Sequence, residues 1–161
     1  MRHNLALMLR ETIDRESALL GHITEEEAAR KPSPHAWSKK EELGHLIDSA
    51  TNNHVRFVVA SIGPEFRGLG YEQDRWVEQH GYNEMPWTAI VDFWQRYNYF
   101  LAGLVARIPE QRMETRCVIG NGSPVTLRFL IEDYVLHMQH HLDHILAREK
   151  ITQYPGAALG V

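Results

Sequence analysis

Between residues 134 and 150 the sequence YVLHMQHHLDHILAREK sets four histidines into the apolar stripe of a helix. At about 100° of rotation per residue, His137 and His141 lie one turn apart on the face that also carries Leu127, Leu130, Tyr134 and Ile145. A helix packs by burying such a face, so these histidines go inward with it. Histidine is the side chain that is both neutral and coordinating near pH 7, and imidazoles gathered on an inward face point to a metal ion before they point to a core. A lone histidine in an amphipathic helix is ordinarily a satisfied polar group or a solvated one; four within residues 137–144 tilt the balance toward a site. His140 and His144 repeat the same spacing, so spacing alone leaves two candidate pairs. Taking Tyr134 and Ile145 as inward favours His137 and His141, sets His140 toward the flank, and returns His144 to nearly the same face. Two histidines make a poor site, and a third ligand is required.

The rest of the chain can be searched for it as one unit. At 161 residues, 43% hydrophobic and 24% charged, it fits one domain spanning residues 1–161 with a full-sized core. The net charge of −4, with no basic cluster longer than Lys39 and Lys40, excludes the electrostatic footprint of a nucleic-acid binder. No stretch approaches the roughly 20 apolar residues of a membrane span. A single cysteine, Cys117, excludes an internal disulfide, and the N-terminal residues hold no apolar run of signal-peptide length. A cytoplasmic setting is expected.

Four segments carry helical periodicity. The first covers residues 4–20, with Leu5, Met8, Leu9, Thr12, Glu16, Leu19 and Leu20 on one side. Thr24 and Glu27 start a short helical turn before the break at residues 32–34. Ser38 and Glu41 form a capping box that opens a second helix running to about Ala60, where Ile62, Gly63 and Pro64 end it. A glycine-bearing loop follows, irregular or briefly helical over residues 71–82. The third helix starts near Pro86 and reaches about Arg107, with Trp87, Ile90, Val91, Trp94, Leu101, Leu104 and Ile108 inward. Residues 114–125, with β-branched residues around Gly120, Asn121 and Gly122, suggest a small hairpin or an extended loop. Thr126 caps the fourth helix, which carries the histidines as far as Lys150; a tail follows from Tyr154. This pattern predicts an all-α four-helix bundle, an architecture that builds metal sites from facing helices.

On the second helix His45 shares a polar stripe with Ser49, Asn52 and Arg56, beside a stripe of Leu46, Ala50, Asn53 and Phe57. If the polar stripe borders a cavity, His45 completes a three-histidine site; if it faces solvent, it does not. Gly44 costs roughly 1 kcal/mol in a helix interior, which points to a close helix approach. His54 falls on the opposite face from His45 and is expected in solvent, while His3, His22, His35 and His80 sit at ends or in loops with no assigned role.

The run W-S-x-x-E-x-x-G-H-L-x-D at residues 37–48 and the run H-x-x-H-H-x-x-H-I at residues 137–145 together resemble the DinB/YfiT-like superfamily of metal-binding four-helix bundles, over nearly the whole chain. The resemblance implies one divalent ion, nickel or zinc, on His45, His137 and His141. It implies histidine or glutamine at position 144. For activity it implies a hydrolase, as the YfiT-like branch is described, a transferase using a low-molecular-weight thiol, as in other members, or a non-catalytic metal-binding, stress-related protein. The expected partners are a small-molecule substrate, such a thiol among the candidates, and a second copy of the chain in a homodimer.

Three imidazoles leave a divalent ion with an open position, the arrangement of a catalytic site. Asp133, one turn before His137, and Asp48, three residues after His45, are placed either to orient the rings or to lie at the surface. Arg56 can hold an anionic substrate group, but an ion pair with Glu16 or Asp92 is the favoured expectation. Met138 replaces the glutamate a zincin protease needs after its first histidine. Glu42 and His45 supply one E-x-x-H motif of a di-iron site, but the last helix supplies no second. Cys117 reads as a small buried residue.

Overall fold

The computed structural model describes residues 2–149, 152 and 154. Four long helices carry the architecture: α1 (Arg2–Leu20), α3 (Lys39–Ile62), α5 (Trp87–Arg107) and α6 (Leu127–Ile145). Two short helices, α2 (Glu25–Ala29) and α4 (Gln73–His80), lie in the connections. The long helices form a four-helix bundle in which α1 packs on α5, α5 on α3, α3 on α6 and α6 on α1, so α3 lies diagonally across from α1. Leu9, Ile13, Leu43, Phe57, Trp94, Leu101, Leu130 and Met138 fill the space between them and are buried. None of the described helices is long and apolar enough to cross a membrane.

The caps read from the sequence are present. The Ser38 hydroxyl accepts from the Glu41 backbone N–H while the Glu41 carboxylate accepts from the Ser38 N–H, closing a capping box that starts α3. Thr24 caps α2 and Thr126 caps α6 through their side-chain oxygens. The last helix ends at Ile145 rather than continuing to Lys150, which lies outside the described residues, as does most of the expected tail. Leu19, expected inward, is exposed.

Before α6 the expected hairpin forms from β2 (Arg116–Ile119) and β3 (Val125–Thr126), antiparallel with Cys117 opposite Val125. A third strand, β1 (Glu65–Gly68), joins β2 in parallel, with Phe66 opposite Cys117. Residues 65–68 carry no local signal of a strand because their partner lies some fifty residues on, and a parallel pair needs a long crossover, supplied here by α4 and α5. Cys117 is buried, and burial pushes its thiol up to about 11, consistent with an inert core residue.

Gly44 owes its place to a loop side chain rather than to a neighbouring helix. A Cβ there would lie 2.2 Å from Cδ2 of Tyr82, whose ring covers this point of α3. Tyr82 is itself buried, and its hydroxyl is bonded to Asp48, so the ring has little room to retreat. Alanine gains about 1 kcal/mol over glycine in a helix, whereas overpacking a filled site costs about 1–3 kcal/mol. Gly44→Ala is therefore expected to lower the urea midpoint with an unchanged m-value; a raised midpoint would show that the Tyr82 ring moves aside freely.

Candidate metal centre

Where α3 meets α6, His45, His137 and His141 converge. His45 is fully buried, His137 is 4% exposed and His141 is half-buried. One ring nitrogen from each lies within 4.8 Å of the others. The Nε2 atoms of His45 and His137 are 3.2 Å apart. Two nitrogens each about 2.0–2.1 Å from one tetrahedral ion stand roughly 3.4 Å apart, so the spacing of this pair fits a shared ion.

Electrostatics favour the coordinating form. Burial, with the neighbouring His141, drops the His45 imidazole to about 3. Burial and the surrounding histidines hold His137 well below its ordinary value. Both rings are therefore neutral at physiological pH, with lone pairs facing the shared centre. Trp37 lies against the His45 ring at 5.0 Å between centroids and fills the space on one side of it.

The third imidazole is oriented by a residue that the sequence reading considered only as half of a di-iron motif. His141 Nδ1 donates to Glu42 Oε1 at 2.9 Å, leaving Nε2 as the nitrogen with a free lone pair. His144 donates from Nδ1 to the same carboxylate, at 2.7 Å to Oε2, with its ring largely exposed. His144 thus steadies Glu42 and stands outside the three-nitrogen cluster. His140 also stands outside it, with its ring 5.6 Å from that of Tyr154. The one sequence signal for Glu42 was its position one turn before His45 on the same helix.

Asp48 and Asp133 are buried, but neither orients a histidine of the cluster. The Nδ1 atoms of His45 and His137 have no hydrogen-bond partner among the described residues. Asp48 Oδ1 instead accepts from the Tyr82 hydroxyl at 2.7 Å and pairs with His80 Nδ1 at 3.0 Å, which gives His80 a role its loop position concealed. Burial raises the Asp48 carboxyl, opposed by these two partners. Asp133 is likewise raised by burial, opposed by a hydrogen bond from Tyr154 and by the charge of Arg56. The polar stripe of α3 is largely interior: His45, Ser49 and Arg56 are buried and Asn52 is half-buried. The expected ion pairs of Arg56 do not form. Glu16 is held by Arg148 and Arg15, and Asp92 pairs with Arg96 along α5. His54, expected in solvent, is half-buried with Nδ1 3.0 Å from the Tyr97 hydroxyl.

A model of the DinB superfamily matches residues 8–145, which takes in most of α1, the other three long helices and every histidine of the cluster. The chain belongs to the DinB superfamily. A protein of Oceanobacillus iheyensis named as a candidate metal-dependent hydrolase is 20% identical over 123 residues, which are 76% of this chain and 70% of that protein. Among solved structures, YfiT from Bacillus subtilis, described as a probable metal-dependent hydrolase with an unusual four-helix bundle topology, matches with a TM-score of 0.79. That match covers 91% of this chain and 84% of YfiT at 17% identity, and it establishes the YfiT-like fold.

The Tyr82 hydroxyl is one of two donors to a buried carboxylate, and removing such a donor costs about 1–3 kcal/mol. Tyr82→Phe is expected to destabilise the protein by that amount in urea denaturation. A cost below about 0.5 kcal/mol would show that Asp48 is satisfied by His80 alone.

Proposed function

We propose that the chain is a metal-dependent hydrolase whose single divalent ion, nickel or zinc, is held by His45, His137 and His141. The convergence of three imidazoles, two of them buried, at one point between α3 and α6 carries this reading, and the names of its relatives agree with it. When bound, the ion supplies Lewis acidity for activating water near neutral pH. The chain's own residues do the rest. His45 and His137 present their Nε2 atoms from opposing helices, and the capped start of α3 fixes the height of His45 along the bundle. Glu42 accepts from Nδ1 of His141 and so orients its ring toward the cluster, while His144 holds the other side of that carboxylate. Trp37 and the bundle core exclude bulk solvent from the His45 side.

His45→Ala, His137→Ala and His141→Ala are each expected to abolish stoichiometric metal binding by elemental analysis, whereas His140→Ala retains it. Retention in any of the first three variants, or its loss in His140→Ala, overturns the ligand assignment. Metal-dependent turnover in a screen of ester and amide substrates, with thiol transfer run beside it, is the expected sign of hydrolysis; thiol transfer alone would displace that reading. Glu42→Gln keeps the size of the side chain and removes its charge, and is expected to weaken metal affinity about 10–100-fold in a competition titration against a chelator.

A further inference from the structure

Arg56 is an unusual group to find in this interior. It is 2% exposed, and burial lowers its affinity for the proton. A buried guanidinium normally recruits a carboxylate in a two-bond fork. Here Nη1 makes one long bond, 3.4 Å, to Asn53 Oδ1. Nη2 has no hydrogen-bond partner among the described residues. Nearby groups are in the same state: the Tyr71 hydroxyl and Asp133 Oδ2 are buried and also without a hydrogen-bond partner among the described residues. Asp133 acts on Arg56 through its charge, yet neither it nor the Tyr71 hydroxyl closes on the free nitrogen. Leaving a charged donor buried and unmade is expensive, so a fold keeps one where something outside the chain completes it.

The space for such a molecule is present. Arg56 forms part of the floor of a cavity of about 340 Å³ whose walls include Val55, Phe66, Leu69 and Trp76. A larger cleft of about 720 Å³, lined by Tyr71, adjoins it through Asn52, Leu69 and Trp76. Arg56 lies eleven residues beyond His45, about 16 Å along the helix axis at 1.5 Å per residue. Its side chain leans back toward the histidines, because helical side chains tilt toward the N-terminus of their own helix. Asp133 lies between, one turn before His137 on α6.

We propose that Arg56 is the anchor for the carboxylate of a small amphiphilic acid, with Tyr71 beside it and the acid's apolar body against Phe66, Leu69 and Trp76. The charge balance selects a monoanion. Beside Arg56 and Asp133 one carboxylate adds a single negative charge, whereas a dianion such as phosphate adds two. The assignment goes beyond the hydrolase reading and does not rest on it, because neither cavity is lined by a histidine of the cluster.

The test is isothermal titration of hexanoate, hexanamide and inorganic phosphate into the full chain, both metal-loaded and stripped by chelator, with metal content measured alongside. Hexanoate is expected to bind both forms, with hexanamide and phosphate at least tenfold weaker. Arg56→Met is expected to lose hexanoate at least tenfold, and Arg56→Lys to lose less, with the metal content of each unchanged. Equal binding of hexanamide, tighter binding of phosphate, no hexanoate binding by the native chain, or an Arg56→Met variant that binds hexanoate as before would each overturn the proposal. The acid and amide comparison uses the native chain and stands even where a variant fails to fold. Absence of metal from the native chain would count against the hydrolase reading while leaving the hexanoate comparison readable, so the two failures are separable.

Discussion

Burying two imidazoles where α3 crosses α6 sets the terms for everything around them. A histidine removed from water must be neutral and should find a partner for its lone pair. At His45 and His137 the two Nε2 atoms have only each other, at 3.2 Å, and their Nδ1 atoms have no hydrogen-bond partner among the described residues. A core that needed only to be packed would place leucine at both positions. The bundle holds polar rings in contact at its centre and brings a third to them, an arrangement whose polar groups are satisfied by a cation and by little else.

The first turns of α3 act as a single device for placing His45. The Ser38 and Glu41 capping box fixes where the helix begins. Trp37, just before the cap, packs on the His45 ring. Glu42 reaches across to the last helix and holds both His141 and His144. Gly44 makes room for the Tyr82 ring, and Tyr82 in turn bonds Asp48 one turn further along. Each residue of the run from Trp37 to Asp48 that looked like a motif thus has a separate mechanical task, and the tasks share one outcome, the height and rotation of α3 against α6.

The end of α6 is tied down by charge. Arg148 reaches the buried Glu16 on α1 with both terminal nitrogens and meets Asp143 with its Nε, while Asp143 also accepts from the Thr152 backbone. The chain is thereby turned back over the bundle, and Tyr154 comes to rest against His137 and His140. Glu16 was legible as an inward residue of α1, but its partner was not, because the sequence pattern carries the last helix past Arg148 whereas it ends at Ile145. The same gap explains Arg56. Its stripe was visible at every fourth residue, yet only packing shows that Glu16 and Asp92 are already taken and that its free nitrogen is buried.

Periodicity, caps and histidine spacing are local properties, and by themselves they determined the four long helices and the starts of α3 and α6, narrowed the segment before the last helix to a hairpin or an extended loop, and favoured His137 and His141 as the inward pair. The resemblance of the two runs added His45. What only the tertiary structure decided were the relations between elements distant in sequence: the parallel pairing of β1 with β2, the Tyr82 ring over Gly44, Glu42 as the partner of His141, and the burial of the polar stripe on α3. A sequence pattern states which face of a helix turns inward but carries no distance between two faces, and each of these contacts is a distance between residues that folding alone brings together.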